Sequence, residues 1–89
     1  MSRTALVLAQ VSNERAKQDA RWGLANPVNR SNAAALAVLM EEVGEAAKAC
    51  LEGDDRGFRD ELIQVAAVAV AAIEASFDES LSRPEPKET

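Results

Sequence analysis

A chain of 89 residues with a net charge of −5 and no long basic run is one small domain, and it is a poor candidate for stable nucleic-acid binding. It has no His and a single Cys, Cys50, which excludes an intrachain disulfide, a Cys/His zinc cluster and a Glu-x-x-His di-iron site. Hydrophobic residues make up 47%, mostly Ala, Val and Leu; such small side chains suit close helix packing but leave a thin core, which points to an oligomer whose interface completes the interior.

The first predicted helix starts at Ser2 or Thr4, either of which can cap it, and runs to Trp22, with Gly23 as its stop. It is apolar early (Ala5 to Leu8, Val11) and charged later (Glu14, Arg15, Lys17, Asp19, Arg21), with a break allowed near Ser12-Asn13. Met1 to Val11 lacks the pattern of a secretory signal. Val11, Arg15, Gln18 and Trp22 fall on one stripe. Two readings of that stripe stay open. Trp22 is an anchor in a core or interface and Arg15 makes a surface ion pair, or the ring stacks on a nucleobase with Arg15 and Gln18 beside it. With no Tyr and two Phe, Trp22 is the aromatic candidate for a base. Leu24 to Asn32 reads as a loop, with Ser31 or Asn32 capping the next helix and asparagines that can also meet a base or sugar.

The second predicted helix covers 33–52. Leu36, Leu39, Met40, Val43, Ala47 and Cys50 form an apolar stripe, so Cys50 is expected in the core. Glu42 and Glu45 lie off that stripe, i and i+3 on one face, beside the small residues Ala35, Val38, Ala46 and Ala49. Such a sector suits a packed partner or a pocket, although Glu-x-x-Glu pairs also occur as plain solvated faces. Glu41, Lys48 and Glu52 read as wet.

Gly53 ends this helix and Asp54 or Asp55 caps the third, predicted over 55–80, so the two should be antiparallel neighbours. Glu45 and Glu61 stand at equal distances either side of Gly53, and Glu42 and Gln64 are each one turn further on. The four side chains are therefore expected at similar heights. Carboxylates gathered within about 5 Å repel by roughly 3 kcal/mol per pair at an effective dielectric of 20. A hard divalent cation relieves that repulsion. Gln64 is the only polar residue between Leu62 and Ile73, either a satisfied core glutamine or a group facing the same site as Glu61. The middle of this helix is apolar nearly all round, which suits a bundle centre or a subunit interface. Its run from Val65 to Ile73 is too short to span a bilayer, and a cytoplasmic protein is expected. Residues 82–89 read as a disordered polar tail after a domain over 1–81.

Glu41-Glu42-Val43-Gly44-Glu45, a spacer, then Glu61-Leu62-Ile63-Gln64 resembles the Glu-Glu-x-x-Glu and Glu-x-x-Asp hallmark of the all-α NTP pyrophosphatase, or MazG-like, superfamily. The surrounding "EEVGEAAKA", "RDELIQVAAVAVAAIE" and "ERAKQDARWG" extend the likeness from about Glu14 to Glu74. The resemblance implies an all-α helical bundle, a dimer or dimer of dimers that completes each active site. It implies a Mg²⁺-dependent enzyme, with Mn²⁺ as a substitute, that cleaves a nucleoside triphosphate to the monophosphate and pyrophosphate. Glu42, Glu45 and Glu61 would be the metal ligands, Gln64 a weak fourth ligand or a water-orienting group, and Glu41 an outer or general-base group. Arg15, Gln18 and Trp22 would meet base or phosphate, and Lys48, Arg56 and Arg59 are candidate phosphate contacts. Gln64 stands where the pattern has Asp, so one ligand charge is missing. The alternatives are a nucleotide- or metal-binding module with weak or no catalysis, and a structural helical dimerisation protein.

Overall fold

The computed structural model describes residues 1–77. They form three helices: α1 over Arg3–Trp22, α2 over Asn32–Leu51 and α3 over Asp55–Ser76. Two short 3₁₀ turns, Gly23–Ala25 and Pro27–Asn29, link α1 to α2. There is no strand among the described residues, and no helix there is long and apolar enough to cross a membrane. The expected extension of α3 over 78–80 and the polar tail lie outside the described residues.

The helix boundaries follow local chemistry. Ser2 caps α1 by accepting from the Ala5 amide at 3.0 Å. The helix runs unbroken through Ser12-Asn13 and stops at Gly23, where φ is +51° and the amide donates back to the Asp19 carbonyl. In the connection, Asn26 accepts from the Val28 amide at 3.2 Å and Pro27 opens the second turn. Ser31 then caps α2 through the Ala34 amide at 3.0 Å. Gly53, at φ +71°, takes the left-handed turn that reverses the chain. Asp54 caps α3 by accepting from the Gly57 amide at 2.9 Å.

α2 and α3 share the most extensive interface, and α1 lies against α3 with little contact to α2. The core is made of small residues: Ala35, Ala46 and Ala49 from α2, and Ala67, Val68, Ala71 and Ala75 from α3. Val28 from the connecting turn plugs it, with Val38, Leu39 and Ala72 packed around. α1 contributes Val11 and a guanidinium. Arg15 Nε donates to Glu74 Oε1 at 3.0 Å and Nη2 donates to Asp19 Oδ1 at 2.9 Å, tying α1 to α3.

The buried face of α2 is not the stripe of larger residues. Leu36 is 60% exposed and Met40 62%, Val43 and Ala47 are exposed too, and only Leu39 of that stripe is half-buried. Cys50, expected in the core, is exposed. The hairpin closes through the Ala-rich sector because methyl-sized side chains let two helices come close. The larger side chains are thereby turned outward. On α3 likewise, Leu62, Ile73 and Phe77 remain exposed opposite Ala67, Ala71 and Ala75.

Candidate active site

The Ala-rich sector that closes the hairpin also carries the carboxylates. Glu42 sits on α2 between Ala35 and Ala46, which are buried, so it is drawn half into the interface. There its carboxyl lies near that of Glu61 on α3, close enough for the two to influence each other's charge. The level pairing expected from counting outward from Gly53 joined Glu45 to Glu61; the observed pair is offset by a turn, a gap that two long glutamate side chains can bridge.

Burial is the largest influence on Glu42, and it holds the carboxyl above its ordinary value of 4.5. The closeness of the Glu61 carboxyl pushes the same way, as do the charges of Glu61, Glu41 and Glu45. Two carboxyl groups this close favour a shared proton or a cation. The sign of the linkage is fixed by that direction. The folded chain holds the Glu42 proton more tightly than the unfolded chain does. This contribution to stability is therefore full at low pH and is lost as pH rises from about 4.5 through the raised folded value. In chelator, the difference in melting temperature between wild type and Glu42→Gln should change across that window and level off above it. A difference independent of pH would remove Glu42 as the titrating group.

An open cleft of about 1020 Å³ lies in front of this pair. One wall is acidic, with Glu41, Glu42 and Glu45 from α2 and Glu61 and Gln64 from α3. The other lining comes from α1 and the connecting turns and holds Glu14, Lys17, Gln18, Arg21, Trp22 and Arg30. Among the described residues the ion pairs are those of Arg15, so Lys17, Arg21 and Arg30 face the cleft without a carboxylate partner. The Trp22 residue is 51% exposed.

Of the residues expected at the site, Glu41, Glu42, Glu45, Glu61, Gln64, Gln18 and Trp22 therefore line one cleft. Arg15 does not line it; its guanidinium is taken up by Glu74, Asp19 and Gln18. Arg56 and Arg59 line a neighbouring cleft that shares Glu14, Lys17 and Gln64 with the first. Lys48 is exposed on α2 and lines neither. The cations Lys17, Arg21 and Arg30 were not singled out from the sequence. The signal for two of them was present: Glu14, Lys17 and Arg21 are spaced as one face of α1, next to the stripe of Val11, Arg15, Gln18 and Trp22.

The donor set on the acidic wall is all oxygen, which suits a hard divalent cation. Among the described residues no three acidic or sulfur side chains are already gathered into a metal cage. Glu42 is close to Glu61, and Glu45 lines the cleft beside them. Compared with family models, curated proteins and solved structures, the chain matches none.

Proposed function

We propose that the cleft hydrolyses a nucleoside triphosphate to the monophosphate and pyrophosphate, as the resemblance to the MazG-like superfamily implies. One observation carries this reading. A carboxyl pair short of a cation, Glu42 with Glu61, shares the cleft with Lys17, Arg21 and Arg30, which outnumber the one carboxylate on their side, Glu14, and make no ion pair among the described residues, with an exposed indole at its edge. A polyphosphate with a divalent cation is the chemistry that satisfies both walls, and a base is the group that suits Trp22.

Glu42, Glu45 and Glu61 would hold Mg²⁺, with Mn²⁺ as a substitute. Bound there, the ion would neutralise phosphate charge and make water a stronger nucleophile. Lys17, Arg21 and Arg30 take the remaining phosphate charge and orient the chain of phosphates. Glu41 accepts the proton of the attacking water. The water oxygen bonds to the α phosphorus, the bond from that phosphorus to the α–β bridging oxygen breaks, and pyrophosphate leaves. Trp22 stacks on the base. A second copy of the chain covers the exposed Leu36, Met40 and Val43, giving the oligomer that the thin core calls for.

The test is pyrophosphate release from a panel of ribo- and deoxyribonucleoside triphosphates, with Mg²⁺ and with chelator. Metal-dependent release that is lost in Glu45→Ala supports the reading, and the panel names the substrate class. Binding of a triphosphate with Mg²⁺ but without cleavage makes this a binding module. Neither cleavage nor binding leaves a structural helical protein.

A further inference from the structure

Three side chains fix one another's direction beside the acidic wall. Arg15 Nη1 donates to Gln18 Oε1 at 3.2 Å, and Gln18 Nε2 donates to Gln64 Oε1 at 3.4 Å. A guanidinium has donors only. Gln18 must therefore turn its oxygen to Arg15 and its nitrogen to Gln64. Gln64 must in turn present its oxygen to Gln18. Arg15 has no freedom to reverse this order, because Glu74 and Asp19 hold it.

The consequence falls on Gln64. Its carbonyl oxygen, the atom that would ligate a cation, is already accepting a hydrogen bond. Its Nε2 carries two N–H groups with no acceptor among the described residues. Gln64 is half-buried in the apolar stretch of α3, where unpaired donors are costly. It also lines both clefts, together with Glu14 and Lys17, where the acidic cleft meets the one that holds Arg56 and Arg59. Lys17, Arg56 and Arg59 outnumber the carboxylates of Glu14 and Asp60 on the neighbouring cleft, and that surplus of positive charge makes an anionic oxygen the matching acceptor at this junction.

We propose that Gln64 serves the cleft as a hydrogen-bond donor to a phosphate oxygen and not as a metal ligand, with Arg15 and Gln18 setting the direction of its amide. This deepens the phosphohydrolase reading and rests on it. It makes the amide at position 64 a phosphate-positioning group in place of a fourth ligand charge. Metal binding then rests on the three glutamates.

The full-length chain is tested as wild type, Gln64→Leu and the near-isosteric Gln64→Met, with helix content checked by circular dichroism. Binding of Mn²⁺ alone is followed by electron paramagnetic resonance, and binding of inorganic tripolyphosphate with Mg²⁺ by calorimetry. Both variants should bind Mn²⁺ within about twofold of wild type and bind Mg²⁺-tripolyphosphate about 10–100-fold more weakly, the loss typical of one hydrogen bond to a charged group. A Mn²⁺ affinity lowered tenfold or more in both variants would make Gln64 a ligand and overturn the proposal. Unchanged tripolyphosphate affinity would reduce Gln64 to a structural glutamine. If the wild type binds neither probe, the phosphohydrolase reading itself fails, an outcome distinct from the other two.

Discussion

Glu42→Gln should give a protein that melts higher and does nothing. In the absence of metal the substitution removes one of two neighbouring carboxyl groups and leaves an amide that can donate to Glu61. The neighbouring charges of Glu41 and Glu45 lose their repulsion with position 42 as well. The gain, screened by the open cleft, is of the order of 1 kcal/mol, or about 4–8 °C in a domain of this size. On the proposed function, the same change deletes the charge of one of the three glutamates that would hold the metal. Altering groups that only support metal ligands costs 10–100-fold in affinity or activity. Pyrophosphate release should therefore fall by more than about 100-fold. The stabilising effect of Mg²⁺ on wild type should shrink in the variant, since the cation no longer relieves the same repulsion. Melting curves with Mg²⁺ and with chelator, set beside the release assay, check both halves. An active variant, or one that melts lower, would dissociate the stability argument from the catalytic one.

The second large effect is expected on the other side of the hairpin. At about 100° per residue, Leu36, Met40 and Val43 lie roughly opposite Glu41 and Glu45 on α2. Side chains this apolar and this exposed, 60% and 62% for Leu36 and Met40, fit the proposed contact with a second copy. Each apolar side chain of this kind that becomes fully buried contributes roughly 1.5–3 kcal/mol. A Leu36→Glu, Met40→Glu double variant removes two from each copy, so association should weaken by at least about a thousandfold, which corresponds to some 4 kcal/mol. The helices themselves should persist, because neither residue belongs to the buried core. Sedimentation equilibrium across a range of concentrations reads this directly. A wild type that is monomeric at 100-fold the concentration used for assays, or a double variant that stays associated, would remove this face from the assembly.

The two expectations draw on opposite faces of one helix, and that is where the sequence was hardest to read. Ends and turns were legible because each has a dedicated residue: Ser2, Gly23, Ser31, Gly53 and Asp54 act where their chemistry says they should. That the two carrying helices lie side by side was also legible from the short turn at Gly53, but their register was not: counting outward levelled Glu45 with Glu61, whereas Glu42 is the residue that pairs with Glu61. The buried face of α2 was not. Hydrophobic periodicity weights residues by size, and it marks Leu36, Met40 and Val43 as the interior. The intramolecular contact instead selects Ala35, Ala46 and Ala49, whose small side chains permit close approach. A helix with two apolar sides offers two interiors, and one chain considered alone does not rank them. On α1 the difficulty was angular. Arg15 and its neighbours Glu14 and Lys17 differ by a fraction of a turn. The Glu74 carboxylate, remote in sequence, decides which of them faces the cleft.

A core of alanines also acts as a gauge. Helix axes typically stand 8–10 Å apart according to the side chains between them, and alanine holds them toward the near end of that range. Ala46 and Ala49 on α2, with Ala67 and Ala71 on α3, therefore set the gap across which Glu42 reaches Glu61. One added methylene at any of them would be felt as axis separation before it was felt as lost burial. The distance between the two carboxyl groups is thus ruled by buried methyl groups that carry no charge themselves.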